Sequence, residues 1–197
     1  MKILNFGSLN IDHVYHVPHF VRPGETLNSN SYTQFCGGKG LNQSIALSYA
    51  GAEVYHAGKI GKDGMILLNK LNECGVNTEF IEILDTDATG HAIIQVNPQG
   101  ENCIILHAGT NHKINDSDIH KALSHFSEGD YILLQNEINN IPLIMNLAKE
   151  KGLKIAFNPA PMDKSVLRYP LDLVDIFIVN EIEGKELTNE IDTDAIL

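Results

Sequence analysis

Phe35-Cys36-Gly37-Gly38-Lys39-Gly40-Leu41-Asn42-Gln43 reads as a strand that runs into a glycine turn and opens a helix. Behind the turn, Leu41, Ile45, Ala46 and Tyr49 recur at helical spacing. Glycines at 37, 38 and 40 let the backbone approach a ligand with no Cβ in the way. The helix start adds unpaired N–H groups and the positive end of a dipole. Lys39 contributes a cation, and Asn42 an amide that both donates and accepts. Such a place suits a polyhydroxylated or anionic ligand. A plain strand–turn–helix junction is the alternative that this stretch alone leaves open, because glycine turns are common.

Two phosphate-binding motifs do not fit. A P-loop needs Ser or Thr after its Gly-Lys, and a glycine five residues before Gly38, yet Gly40 and Thr33 hold those places. The dinucleotide fingerprint fails at its third glycine, where Gln43 stands.

The 197 residues allow one large domain or two small ones around a substantial core. A net charge of −11 argues against nucleic acid or an anionic membrane surface as the main partner. No apolar run has the length of a bilayer span, and Met1–Gly7 lacks the apolar core of a signal peptide. Cys36, Cys74 and Cys103, odd in number and far apart, fit reduced thiols, so a cytoplasmic protein is expected.

Working outward, Ile3–Phe6 is a short buried strand broken by Gly7-Ser8. Asn10 and Asp12 follow beyond its carboxyl end, where open α/β sheets bind ligands and where turn residues also belong. His13, His16 and His19 lie in an extended segment, in which a spacing of three turns His16 away from the other two, so no metal site is expected there. Glu53–Ala57 reads as a strand followed by a loop over 58–64, with Asp63 as the N-cap of the next helix. Met65, Leu68, Leu71 and Cys74 mark that helix's apolar face, and Gly75 closes it. Ala92–Val96 and Asn102–Leu106 flank Asn97-Pro98-Gln99-Gly100-Glu101, a strong hairpin signal. With the extended segments around 13–36 it would form a small β lid. The expected division is a core of residues 1–12, 37–86 and 108–197, with a lid of 13–36 and 87–107.

Beyond the hairpin, strand and helix alternate regularly. A helix near Ser117–Phe126 carries Ile119, Ala122, Leu123 and Phe126 on one face. Tyr131–Gln135 is a continuous apolar strand, as in a parallel sheet covered on both faces. Pro142 suits the first turn of the next helix and Gly152 its end, while Lys154–Phe157 and Asp175–Val179 are further strands. Asn10, Asp12, Glu137, Asn158, Asn180 and Glu183 all fall at carboxyl ends of these strands and would converge on one sheet edge.

Taken together, Gly7-Ser8-x-Asn10-x-Asp12, Pro23-Gly24-Glu25-Thr26, Gly37-Gly38-Lys39-Gly40-x-Asn42-Gln43 and Gly61-x-Asp63 resemble the N-terminal half of the ribokinase family of sugar kinases. Thr89-Gly90, His107-Ala108-Gly109-x-Asn111, Gln135-x-Glu137, Asn158-Pro159-Ala160-Pro161 and Asn180-x-x-Glu183 continue the match in register. The resemblance implies a three-layer α/β/α fold with a mostly parallel sheet, a small β lid and a C-terminal part beyond this chain. It implies sugar contacts from Asn10, Asp12, Gly38, Lys39, Asn42 and Glu137, with Asn10 reading a hydroxyl that a deoxy sugar lacks. Asn180 would hold phosphate, and Glu183 the hydrated Mg²⁺ of MgATP. The implied reaction moves the γ-phosphoryl of ATP to the primary hydroxyl of ribose, under a lid that excludes water. Relatives also pair through the lid, which implies a homodimer.

The family's catalytic base is the aspartate of a Gly-Ala-Gly-Asp motif, which does not occur in these 197 residues. The adenine pocket and a monovalent-cation site belong to the same missing region. The chain alone is therefore expected to be inactive and to carry the sugar half of the site and the start of the phosphate half. The competing expectation is a catalytically silent sugar-binding or dimerisation fragment. A nucleotide-dependent oxidoreductase is the weakest reading, since no dinucleotide fingerprint follows a strand.

Overall fold

The structure, a computed structural model, describes residues 1–190 and Asp192. Of the segment 108–197, residue 191 and residues 193–197 lie outside the described residues. The chain forms β1 (Lys2–Phe6), β2 (Asn10–His16), β3 (Ser31–Gly37), α1 (Lys39–Tyr49), β4 (Glu53–Gly61), α2 (Met65–Glu73) and β5 (Asn77–Leu84). It continues with β6 (Gly90–Val96), β7 (Asn102–His107), α3 (Asp116–Leu123), β8 (Tyr131–Gln135), α4 (Ile141–Glu150), β9 (Lys154–Asn158), β10 (Ile176–Phe177) and α5 (Glu181–Thr188).

The main sheet has the order β10-β9-β8-β1-β4-β5, all parallel, so every carboxyl end lies along one edge. β1 sits between β4 and β8, and its alternation explains the layering. Leu4 and Phe6 join Ile119, Leu123, Ile144 and Met145 in the core under α3 and α4. On the other face, Leu41, Val54, Ile60, Leu67 and Leu71 pack beneath α1 and α2. The result is a three-layer α/β/α body. A second sheet, ordered β3-β2-β6-β7, is antiparallel at β2–β3 and β6–β7 and parallel at β2–β6. Strands β6 and β7 form the expected hairpin.

Several local expectations are corrected. Asn10 and Asp12 are not in a turn; they open β2 and pair with Gly37 and Phe35. β4 continues through Gly58-Lys59-Ile60-Gly61, the stretch read as loop, because Ile60 and Lys59 are both buried there. Lys59 is 4% exposed, and its ammonium is held at 2.6 Å by Glu82 of β5 and at 2.6 Å by Asp118 of α3. Asp63 does not cap α2, whose cap residue is Gly64. Its carboxylate instead accepts from the Thr89 N–H at 3.1 Å and the Thr89 hydroxyl at 2.6 Å. Burial raises the Asp63 pKa, but the bonds from Thr89 outweigh it and leave the group below the usual range.

α1 buries Gly40, Leu41 and Ser44, whereas Tyr49 is exposed, because the helix packs over a polar seam rather than a wholly apolar one. In α2 the buried positions are Leu67 and Leu71, followed by Cys74 at the helix's C-cap, with Met65 turned outward. β5, unread in the sequence, is an edge strand whose exposed positions mask its periodicity. The last strand is not a buried five-residue run. β10 holds two residues, and Ile176, Phe177 and Ile178 are each more than two-fifths exposed at the sheet's edge.

Candidate functional site

The glycine turn closes onto the end of β1. Gly38, at φ 95°, precedes α1, and a Cβ there would lie 2.8 Å from the Ser8 carbonyl oxygen. A Cβ on Gly40 would lie 2.4 Å from the Ser8 nitrogen. This contact lets the Leu41 N–H donate to the Ser8 carbonyl at 3.0 Å and the Gly40 N–H to the Ser8 hydroxyl at 3.2 Å.

A largely buried polar seam supports the turn. The Asn5 amide donates to the Gly40 carbonyl and to the Ser44 hydroxyl, both at 2.7 Å. Ser44 lies 2.8 Å from His56 Nδ1, and His56 Nε2 lies 3.2 Å from the Gly7 carbonyl. Burial depresses the His56 pKa to about 4, so its imidazole is neutral at neutral pH. The Gln135 amide donates to Asn5 Oδ1 at 2.9 Å and to Gln43 Oε1 at 2.7 Å. The seam makes the turn a preformed feature rather than a loop that ligand must order.

Beyond β8, Glu137 reaches the same turn. Its Oε2 accepts from the Lys39 main-chain N–H at 2.9 Å and from the Ser8 hydroxyl, and its Oε1 takes the Lys39 ammonium at 2.9 Å. Asp12 stands nearby on β2. Gly37 is what makes room for it, since a Cβ there would lie 2.1 Å from Asp12 Oδ2. Burial, and secondarily the Glu137 charge, hold the Asp12 carboxyl above its ordinary pKa. Asp12 makes no hydrogen bond with the described residues, so its oxygens are open acceptors. Asn10 is 8% exposed, and its Oδ1 accepts from Asn111 Nδ2 at 2.7 Å.

Asn10, Asn111, Asn136, Glu137, His107 and Asp163 line a cavity of about 280 Å³ at the carboxyl edge of the main sheet. A larger cleft of about 460 Å³ lies against β5 and α3 around Lys59, but there Lys59 is already neutralised by Glu82 and Asp118. The first cavity presents the Asn10 and Asn136 amides and the Glu137 carboxylate beside a preformed helix start, polar groups that can bind several hydroxyls at once.

Of the residues expected at the site, Asn10, Asp12, Gly38, Lys39 and Glu137 cluster around Ser8 and the glycine turn. Asn42 lies one helical turn after Lys39, exposed and with no side-chain hydrogen bond to the described residues. Asn158 ties down β10 through the Ile178 carbonyl at 2.6 Å. Asn180 and Glu183 form a reciprocal capping box on α5: Asn180 Oδ1 accepts from the Glu183 N–H at 2.9 Å, and Glu183 Oε2 accepts from the Asn180 N–H at 3.1 Å. This pair shares no hydrogen bond with the Asn10–Glu137 group among the described residues. Ser8, Asn111, Asn136 and Asp163 were not read as site residues. Ser8 and Asn111 stand within quoted motifs, but a buried polar residue announces itself only once its partners from distant strands are known.

Comparison with known proteins adds four findings. The family described as pfkB family carbohydrate kinases matches residues 1–196. A ribokinase of Haemophilus influenzae is 36% identical over 186 residues, covering 92% of this chain and 60% of that protein. The crystal structure of a ribokinase from Cryptococcus neoformans in complex with ADP superposes with a TM-score of 0.85 at 36% identity, over 99% of this chain and 64% of that one. A ribokinase of Arabidopsis thaliana complexed with ribose and ATP gives a TM-score of 0.86 at 26% identity, over 99% of this chain and 65% of that one. The chain thus spans less than two thirds of each of these relatives.

Proposed function

This chain belongs to the pfkB family of carbohydrate kinases, and from that premise we propose that it supplies the sugar-binding half of a kinase that phosphorylates D-ribose at the expense of MgATP. The observation that carries the reading is the cluster at the glycine turn. An amide, an open carboxylate and a lysine–glutamate pair surround one preformed helix start. Asp12 and Glu137 would accept from sugar hydroxyls, and Lys39 and Asn42 would donate to them. Asn10 would read the hydroxyl that 2-deoxy-D-ribose lacks, since a buried amide left unpaired disfavours the poorer ligand.

In this reading Asn180 contributes to phosphate binding, and Glu183 holds the hydrated magnesium ion through water. The donor set fits. The Glu183 carboxylate is a hard oxygen ligand, half-buried at the start of α5, and capping uses only part of its four lone-pair sites. The ion, when bound, neutralises charge on the transferring phosphates. The chain's own residues orient the acceptor sugar, and the second sheet acts as a lid that keeps water from competing. The catalytic base, adenine pocket and monovalent-cation site fall outside the cluster described.

The same sheet supports a homodimer. Register puts Asp12 on one face with Phe35, Ala92 and Leu106, and that face runs on into Val14, Ile94 and Ile104. Phe35, Ile104 and Leu106 are largely exposed in the single chain, an apolar strip that a second copy would cover. A cytoplasmic location is part of the proposal; among the described residues no helix is long and apolar enough to cross a membrane.

The test is calorimetric titration of the chain with D-ribose and 2-deoxy-D-ribose, with and without MgATP, alongside an assay for phosphoryl transfer. Binding of ribose, weakened at least about ten-fold by Lys39→Ala or Asn42→Ala, is expected. Ribose binding without transfer identifies this piece as the sugar-binding module. Failure to bind any pentose or hexose overturns the proposal.

A further inference from the structure

We infer that Asn111 is a positioning residue that sets the hydrogen-bonding polarity of the sugar pocket, by fixing which end of the Asn10 amide faces the ligand. The inference rests on the ribose-kinase reading for the ligand, and on geometry alone for the amide. One group here has a role that cannot change: the Leu9 main-chain N–H can only donate. It lies 2.9 Å from Asn111 Oδ1, so that end of Asn111 must be the oxygen. The other end is then NH₂, which donates to the Leu9 carbonyl at 3.3 Å and to Asn10 at 2.7 Å. The Asn10 atom facing it must be an acceptor, so Asn10 Oδ1 points inward and Nδ2 is left for the cavity that Asn10 lines.

The relay is well buttressed. Asn111 is 2% exposed, and its main-chain N–H bonds to the Ala108 carbonyl at 3.0 Å. Gly90 presses on both amides: a Cβ there would lie 2.1 Å from Asn111 Nδ2 and 2.4 Å from Asn10 Oδ1. No described group accepts from Asn10 Nδ2. The pocket therefore presents a donor at Asn10 and, from Glu137, a carboxylate acceptor. A hydroxyl oxygen satisfies the donor, whereas an ammonium group, which has no lone pair, does not. A main-chain N–H thus dictates, two amides away, that the position reads a hydroxyl and rejects an ammonium group.

Two measurements on the described chain test this. The first needs no ligand: hydrogen exchange of the side-chain amides by NMR, assigned through single substitutions. The Asn111 NH₂ protons are expected to exchange at least about ten-fold more slowly than those of Asn10, because only the former are bonded inside the protein. The reverse order overturns the inference, whatever the protein binds. The second compares D-ribose with 2-amino-2-deoxy-D-ribose, titrated as its ammonium form, in the unaltered chain and in Asn111→Asp. A carboxylate at 111 still accepts from Leu9 but forces Asn10 to turn its NH₂ inward and its oxygen to the pocket. The unaltered chain should favour ribose by about ten-fold or more, and the variant should shift the ratio at least about ten-fold toward the amino sugar. Ribose binding with an unshifted ratio sinks the inference while leaving the ribose reading intact. No sugar binding at all sinks the ribose reading, and the amide exchange still decides the orientation.

Discussion

Glu137 grips Lys39 at two points, with Oε2 on its main-chain N–H at 2.9 Å and Oε1 on its ammonium at 2.9 Å. The two contacts are unequal in consequence. The N–H bond belongs to the first turn of α1, where backbone donors have no intrahelical partner, and Ser8 donates to the same oxygen. The Lys39 side chain is 39% exposed, so its ammonium is partly screened. Glu137→Gln should therefore lower the unfolding free energy by about 1–2 kcal/mol, and Lys39→Met by less than about 1 kcal/mol. Urea titrations of both variants measure this. Equal losses would show that the lysine side chain, not the helix start, is what Glu137 holds.

The glycine turn should tolerate no side chain at its tightest point. A Cβ on Gly40 would lie 2.4 Å from the Ser8 nitrogen and 2.6 Å from Gly7 Cα, and these are backbone atoms that no rotamer can move. Gly40→Ala should cost about 3 kcal/mol or more. Gly24 is the control: a Cβ there meets nothing within 4 Å, and only its φ of 79° resists substitution. Gly24→Ala should cost about 1 kcal/mol. Thermal melts of the two variants, set beside that of the unaltered chain, give the comparison. A mild Gly40→Ala would mean that β1 and α1 do not close as described.

These two glycines also show how much could be read in advance. The turn, the βαβ rhythm and the hairpin announce themselves by period and punctuation, and the resemblance set Asn10, Asp12, Lys39 and Glu137 near one another. What could not be read is pairing across the sheets. Asp63 fits a helix cap by type and position, yet its carboxylate serves Thr89 at the root of β6, because that partner is 26 residues away. Asn111 fits a turn equally well, and its meeting with Leu9 and Asn10 is fixed by the return of the chain from β7. β10 misled for the opposite reason: its apolar run reads as a buried strand, yet only two of its residues pair, at the sheet's edge and exposed.

His56 should impose an acid limit on stability. Its folded pKa is depressed to about 4 by burial, against an ordinary value of 6.5. The native imidazole stays neutral while the unfolded one takes up a proton below pH 6.5. The contribution is therefore complete above that pH and is lost progressively as the pH falls toward 4. A displacement of this size is worth about 3 kcal/mol. The depressed carboxyls of Asp63, Asp130 and Asp175 lose their own contributions at more acidic pH, below the ordinary carboxylate range. Denaturant titrations from pH 7 to pH 4 should show the slope, and His56→Gln should flatten it. An unchanged slope in that variant would assign the acid sensitivity elsewhere.

Two exposed apolar surfaces should produce two different kinds of self-association. The strip on the second sheet is discrete and, in a homodimer, self-complementary, so pairing through it closes. Ile104→Lys or Leu106→Lys should then convert a dimer to a monomer without altering the melting temperature of dilute protein by more than a few degrees. The edge at β10 is different. Ile176 and Phe177 form, and Ile178 follows, a strand that pairs only with β9 among the described residues, and an open parallel edge templates further strands without limit. Ile178→Lys should suppress concentration-dependent, open-ended association and leave the dimer untouched. Light scattering across a concentration series separates the two, because a closed dimer gives a plateau in mass and an open edge gives a continuing rise. If Ile178→Lys abolished the plateau, the sheet edge would be the dimer interface and the apolar strip of the second sheet would need another partner.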